Sequence, residues 1–490
     1  MSIELLKAGQ ASYNKELENW ITKEKAAVDL INAVGSLLFN KSVELVLFRN
    51  HLVDTSVSEV LQLHQYAAEV VNKPIDVFST SELAVELMDL DLAPSKLDIG
   101  KLSSEWLSEG KNFASKKEFL TKKLANFIGH QESSSIIPRD VVLYGFGRIG
   151  RLAARELIKQ AGKGQQLRLR AVVTRKIDEQ QLHQRAALLR MDSVHGPFPG
   201  SIVADATNMT LVVNGQIVKM IQSNSPEEID YEAHGITNAL VIDNTGAFRD
   251  RKELSRHLQA KGVSKVLLTA PGKEIPNIVY GINQKTADVD KENIFSAASC
   301  TTNAICPILF TIENKFGIEK GHIETVHAFT NDQNLLDNMH KAYRRGRSAP
   351  INMVITETGA NAAVSKVIPV LTDKLTGNAV RVPVPNGSLA ILNLQLKRET
   401  SIAEVNAAIK DAALNGDLVN QIKYSIENEL VSSDIVGDTC CSIFDSPATI
   451  ISLDKKSVVL YVWYDNEFGY TKQVIRLAKH ISKVKRLIYY

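Results

Sequence analysis

Apolar residues recur at helical spacing through the first ~130 positions of the chain. Trp20, Ala27, Leu30, Ile31, Val34, Leu37 and Leu38 mark one helix with an apolar face. Val57, Val60, Leu61, Ala67 and Val70 mark a second, which Pro74 ends. Ser79 and Glu82 stand as a capping box ahead of the apolar run LAVELM and predict a helix start. Phe113, Leu120, Leu124 and Phe127 predict a last helix, stopped by Gly129. Glycines are scarce and strand signals few, so the segment reads as all-α. Lys116, Lys117, Lys122 and Lys123 along the last helix form either a solvated face or a basic contact surface. The polar stretch HQESSSIIPR that follows predicts a linker.

At Asp140 the period changes. VVLYGFGRIGR is a short apolar strand, then glycines, then a helix start. LRLRAVVT is a second strand, and ALVIDNTG and KVLLTAPG are apolar strands ending in glycine-containing turns. Strands alternating with helical stretches predict a parallel α/β sheet. Past Cys300 come longer strands, GHIETVHAFT, NAVRVPVPNGSLAILNLQLKR and KSVVLYVWYDNEFGY, which predict an α+β domain; TKQVIRLAKHISKV predicts a closing helix.

Composition narrows the class. A chain of 490 residues, 44% apolar and 23% charged, suits a soluble protein of two to four domains. A formal net charge of +2 gives no electrostatic case for nucleic acid or an acidic membrane surface. The four cysteines, Cys300, Cys306, Cys440 and Cys441, are too few for a disulfide scaffold. Adjacent Cys440 and Cys441 lack zinc-knuckle spacing, so they read as core or near-core residues and no metal site is predicted. No basic start leads into an apolar stretch, and no run approaches ~20 apolar residues. A cytoplasmic location is the expectation.

Two places carry candidate chemistry. Gly145, Gly147 and Gly150 form G-x-G-x-x-G between a strand and a helix, the context of a dinucleotide site. The next strand ends in Thr174, Arg175 and Lys176, with no carboxylate for the 2′-hydroxyl of NAD and two cations suited to a 2′-phosphate. NADP is the favoured cofactor and NAD the alternative. In SAASCTTNAICP, Cys300 sits at a strand-to-helix junction, where unpaired N–H groups favour a thiolate. A core cysteine at a tight turn is the other reading.

The motifs GFGRIGR, MDSVHGPFPG, NTGAF, TAPGK, VYGIN, SCTTN, TVHAFTNDQNLLD, RVPVPNGS and WYDNEFGY occur in one order. From about residue 140 to residue 490 the chain resembles the phosphorylating glyceraldehyde-3-phosphate dehydrogenase family, and its first ~130 residues resemble the extension of a long bacterial subgroup. The resemblance implies a Rossmann domain plus an α+β catalytic domain, with an all-α extension: extension at 1–130, linker at 131–139, dinucleotide-binding domain at 140–299, catalytic domain at 300–466, and a C-terminal helix at 467–490 returning to the dinucleotide domain. It makes Cys300 the nucleophile and His327 the base. Thr330 and Arg381 would hold the substrate C3 phosphate, and Ser299, Thr301, Thr358 and Gly359 the attacking phosphate. Arg148 and Ile149 would line the diphosphate and adenosine, with Thr245 and Gly246 close to the cofactor and Asn466 on the nicotinamide. The implied partners are glyceraldehyde 3-phosphate and inorganic phosphate, and the implied assembly is a homotetramer. Ala304 stands where the family often has a second cysteine, and Asn244 where it often has serine. Rival readings are an erythrose-4-phosphate dehydrogenase and a non-catalytic binding or regulatory protein that reuses the fold.

Overall fold

The computed structural model describes residues 3–129, 137–162, 166–356, 358–484 and 486–490. Most of the predicted linker, at 130–136, lies outside the described residues. The chain forms two compact units, Pro138–Val484, and Met1–Ile137 together with Lys485–Tyr490.

In the larger unit, Val141–Leu143, Leu240–Ile242 and Val266–Leu268 are apolar throughout and fully buried, as strands covered on both faces must be. They lie in an eight-stranded sheet ordered Ile294–Ser296, Val263–Leu268, Ala239–Asp243, Arg139–Tyr144, Leu167–Thr174, Gln216–Gln222, Thr210–Val213, Ile202–Asp205. The first six are parallel; the last two turn back antiparallel. The chain leaves the Arg139–Tyr144 strand to one side and returns on the other, so the strand order reverses there. The crevice at the carboxyl ends of such strands is where open α/β sheets take ligands.

From the sheet's last strand the chain passes through Ser299 into the helix Cys300–Phe316. Pro307 inside this helix cannot donate to the Asn303 carbonyl, and the thiol of buried Cys441 donates to it instead, at 3.1 Å. A second sheet follows, ordered Val354–Thr356, Leu375–Val382, Ile318–Ala328, Ser388–Leu396, Ser457–Tyr464, Ser442–Asp445, Ile422–Ser425, with Ile450–Ile451 paired to Ser457–Tyr464. Its one parallel pair near the nucleophile sets His327 beside Arg381 in register. The helix Phe468–Ile481 packs on Arg148–Lys159 through a buried Lys472–Glu156 ion pair at 2.5 Å.

The smaller unit is built on the helices Ile3–Lys41, Val57–Glu69, Val77–Met88, Ile99–Glu109 and Lys116–Lys123. Leu30, Leu37, Leu83 and Leu87 lie in one core. Three expectations are corrected. The capping box sits at Ser56 and Glu59; at the next helix Asp76 is the cap, accepting from Ser79 N–H at 2.7 Å, while Ser79 is buried in the first turn. Trp20, read as core-facing, is 48% exposed. The extension is not purely helical: Asn50–His51, Glu44–Leu47, Ser95–Asp98 and Leu487–Tyr489 form a four-stranded sheet. These strands have two to four residues each, too few to show a period of two, and beyond the Glu44–Leu47 and Asn50–His51 hairpin their partners are distant in sequence. Of the lysines, Lys116 pairs with Glu82, and Lys123 with Glu105 and Glu109. No helix among the described residues is long and apolar enough to cross a membrane.

Candidate active site

At the switch point, Gly145 has φ +96°, and a Cβ there would meet the Thr245 methyl at 3.0 Å. A Cβ on Gly150 would stand 2.5 Å from the Gly145 carbonyl, so helix and strand approach too closely for any side chain. Gly147 differs. It caps the helix Arg148–Lys159 with no side-chain bond, and open space surrounds the position of its absent Cβ. Unpaired first-turn N–H groups beside that space fit a diphosphate. Asp243, fully buried, accepts from Thr245 N–H at 2.8 Å and Thr245 Oγ1 at 2.7 Å, which fixes the facing loop through Gly246 at φ +68°. Ile149 is half-buried in the first turn.

Arg175 and Lys176 are exposed just past Thr174, next to the glycine turn, where Gly145 N–H donates to the Val173 carbonyl at 3.0 Å. Lys176 Nζ lies 3.6 Å from Asp178, which itself caps the next helix. Arg175 makes no hydrogen bond or ion pair among the described residues.

Cys300 is the first residue of its helix, capped by Ser299, whose Oγ accepts from Thr302 N–H at 3.0 Å. Its Sγ lies 3.6 Å from His327 Nε2. His327 Nδ1 lies 2.7 Å from the Ala328 oxygen. A carbonyl only accepts, so Nδ1 carries the ring proton and Nε2 presents its lone pair to the thiol. Burial, then the Arg381 charge, drives the imidazole down to about 3. Burial pushes the Cys300 thiol up, by more than Arg381 and the hydrogen bonds from Thr301 pull it down. In the free site burial of the thiol therefore opposes the lowering expected of the helix terminus. Thr301 Oγ1 lies 3.1 Å from Tyr464 OH, and the Tyr464 ring meets the imidazole edge-on.

Arg381 Nη1 donates to the Ala328 oxygen at 2.9 Å; its Nε is buried with no partner among the described residues. The hydroxyl of half-buried Thr330 makes no hydrogen bond among the described residues. Thr358 Oγ1 accepts from Ala360 N–H at 3.2 Å, and Gly359 caps the helix Ala360–Val367 beside open space. These two reach Arg381 through the pairing of Val354–Thr356 with Leu375–Val382, not through a direct bond. Asn466 is fixed by a relay: Ala328 N–H donates to Ser388 Oγ at 3.1 Å, and Ser388 Oγ to Asn466 Oδ1 at 2.8 Å.

Sequence reasoning missed one cluster. Arg148, expected on the diphosphate, directs its guanidinium to Glu467, with Nη2 at 2.6 Å, and to Asp192 at 3.1 and 3.2 Å. His195 Nε2 stands 2.9 Å from Glu467. Burial opposes the Glu467 charge, but hydrogen bonds from His195 and Arg148 outweigh it and hold the carboxyl below its ordinary value. Arg345, also unassigned, donates to Thr356 Oγ1 at 3.0 Å and adds positive charge near His327. The motif MDSVHG contains two of the four cluster residues, but nothing in it names their partners.

Residues 139–251 match the family model described as the NAD binding domain of glyceraldehyde 3-phosphate dehydrogenase, and residues 299–466 match that of its C-terminal domain. The chain is similar to a glyceraldehyde-3-phosphate dehydrogenase-like protein of Pseudomonas aeruginosa, 47% identical over 458 residues, 93% of this chain and 98% of the relative. It is also similar to glyceraldehyde-3-phosphate dehydrogenase 1 of Bacillus subtilis, 40% identical over 344 residues, 70% of this chain and 98% of the relative. The protein of that activity from Geobacillus stearothermophilus is 40% identical over 343 residues, with the same two coverages, 70% and 98%.

Proposed function

The chain belongs to the glyceraldehyde-3-phosphate dehydrogenase family, and from that premise we propose that it oxidises glyceraldehyde 3-phosphate to 1,3-bisphosphoglycerate, reversibly, with a nicotinamide dinucleotide and inorganic phosphate. The observation that carries this reading is the 3.6 Å approach of Cys300 Sγ to a histidine nitrogen whose lone pair faces it. As Sγ attacks the aldehyde carbon, Nε2 takes the thiol proton and passes it to the carbonyl oxygen, leaving a hemithioacetal. A bound dinucleotide, held at Gly145, Gly147, Thr245, Gly246 and Asn466, supplies the hydride acceptor. Nε2 takes the hydroxyl proton as the hemithioacetal becomes a thioester. A phosphate oxygen held by Ser299, Thr301, Thr358 and Gly359 attacks that thioester. Sγ leaves as thiolate, and His327 returns its proton. Arg381 and Thr330 anchor the C3 phosphate throughout.

The cofactor in this reading is NADP at least as readily as NAD. A 2′-phosphate beside Arg175 and Lys176 gains about 1 kcal/mol at their exposure, or ~5-fold in kcat/KM. By likeness to the family, the enzyme is a cytoplasmic homotetramer.

A steady-state assay of the purified chain tests the whole reading. Triose phosphate should be oxidised only while phosphate is supplied; without it, turnover should stop after one equivalent per site. Cys300→Ser should lose about 10³-fold or more. Arg175→Asp should move the kcat/KM ratio towards NAD. Faster turnover of erythrose 4-phosphate would reassign the substrate, and full activity in Cys300→Ser would sink the covalent route.

A further inference from the structure

The helix Ile3–Lys41 has two apolar faces, and its own unit uses one. Ala27, Leu30, Val34 and Leu37 are buried in the core. Residues 12–23 are exposed all round. There Tyr13, Leu17, Trp20 and Ile21, with Val28 further on, stand 40–66% exposed. At ~100° per residue these five fall within an arc of about 100°, centred roughly 130° from the buried face. Glu16 and Lys23 border this stripe on one side, Glu18 and Lys25 on the other. All four side chains are exposed, and none is in an ion pair among the described residues. Glu24, the one charge inside the stripe, accepts from Trp20 Nε1 at 2.9 Å, so its head lies along its own helix.

We propose that this stripe pairs with the same stripe of a second copy of the chain, the two helices running antiparallel about a two-fold axis between Trp20 and Ile21. Both borders read glutamate first and lysine two turns later. In an antiparallel pair like borders meet, so each Glu16 faces a Lys23 and each Glu18 a Lys25 across the interface. Tyr13 comes level with Val28, and Trp20 with Ile21. A parallel pair would bring opposite borders together, setting Glu16 beside Glu18 and Lys23 beside Lys25. The paired stretch is about 24 Å long, or roughly two heptads. A free helix of that length would be marginal, but this one continues a helix already anchored in a core, so its ordering adds no cost to association. Balanced charge on the borders favours a second copy over an anionic membrane, which would select a basic border.

Sedimentation velocity on the full chain tests the pairing. The pairing joins one tetramer of the proposed kind to another, so E16K/E18K, with four lysines on each chain's borders, and K23E/K25E, with four glutamates, should each alone sediment as the tetramer, at half the particle mass of the wild type. Mixed in equal amounts they should recover the wild-type mass, because lysine borders then face glutamate borders. Far-UV circular dichroism checks that both variants stay folded, as expected for exposed positions. Equal masses for wild type and both variants would overturn the proposal, as would a mixture that fails to recover. Unchanged mass together with binding to anionic vesicles that Trp20→Glu abolishes would also overturn it and assign the face to lipid.

Discussion

Arg381 Nη1 stands 3.0 Å from His327 Nδ1 and 2.9 Å from the Ala328 oxygen, and Nδ1 stands 2.7 Å from that same oxygen. A guanidinium only donates. Were it to donate to Nδ1, the ring proton would move to Nε2 and the base facing Cys300 would be lost. The Ala328 oxygen can accept both protons, which keeps the lone pair on Nε2. Arg381 thus acts on the Cys300–His327 pair by charge, in addition to the substrate-holding role proposed for it. Its charge lowers both the His327 imidazole and the Cys300 thiol. Arg381→Met should raise both. With unphosphorylated glyceraldehyde, which makes no use of a C3-phosphate site, the acid limb set by His327 and the alkaline rise set by Cys300 should both move to higher pH. Arg381→Lys should restore much of the profile. With triose phosphate, Arg381→Met should raise KM about 10-fold or more, the loss of a charge-assisted pair. A pH profile that stays put in Arg381→Met would show that the guanidinium acts on substrate alone.

At the scale of elements, Arg148 leads the helix after the glycine turn and Glu467 leads into the helix Phe468–Ile481. Their bond, with Asp192 and His195, ties the residue next to Asn466 to the dinucleotide motif. Burial raises Asp192, but hydrogen bonds from His195 and Val194 and the Arg148 charge bring it to about 2. Both carboxylates titrate below their ordinary values, so their stabilisation is complete above about pH 5 and is lost as pH falls through the lowered values. Glu467→Gln should therefore cost ~2 kcal/mol at neutral pH, less than a fully buried pair because Arg148 keeps 28% of its side-chain exposure. The gap to wild type should narrow in acid, and KM for the dinucleotide should rise while Cys300 alkylation is unchanged. A gap that persists unchanged at low pH would show that packing, not charge, links the two helices. This cluster also marks what the sequence conceals. The strand–glycine–helix order and the capped cysteine at a helix start are local, and both could be read from adjacent residues. Glu467 and Arg148 are 319 positions apart, and only the fold brings them together. The short strands Glu44–Leu47 and Ser95–Asp98 were hidden for the same reason: each finds its partner across intervening helices, and four residues with Glu44, Lys96 and Asp98 among them set no apolar alternation to read.

At the scale of the whole molecule, the chain's last residues belong with its first. Leu487–Tyr489 pairs in parallel with Ser95–Asp98, although the sequence suggests that the closing helix simply ends the larger unit. Arg486 reaches Glu44 at 3.3 Å, Tyr489 OH donates to Glu105 at 2.6 Å, and the Tyr489 ring meets Phe127 edge-on. Stopping the chain at Val484 should therefore destabilise the smaller unit by about 2 kcal/mol, the burial of one aromatic side chain plus a few ladder bonds. Dehydrogenase activity, whose proposed residues all lie in Pro138–Val484, should be retained. The converse truncation has two forms that ought to behave differently. A chain of residues 138–484 should stay soluble and keep its active-site chemistry. A chain of residues 138–490 keeps Leu487, Ile488 and Tyr489 with their strand partner gone, and an unpaired apolar edge invites aggregation. Light scattering during thermal melts, alongside activity, compares the two. If residues 138–490 prove as soluble as residues 138–484, the strand does not depend on the smaller unit; if residues 138–484 fold but bind no dinucleotide, the smaller unit takes part in the active site.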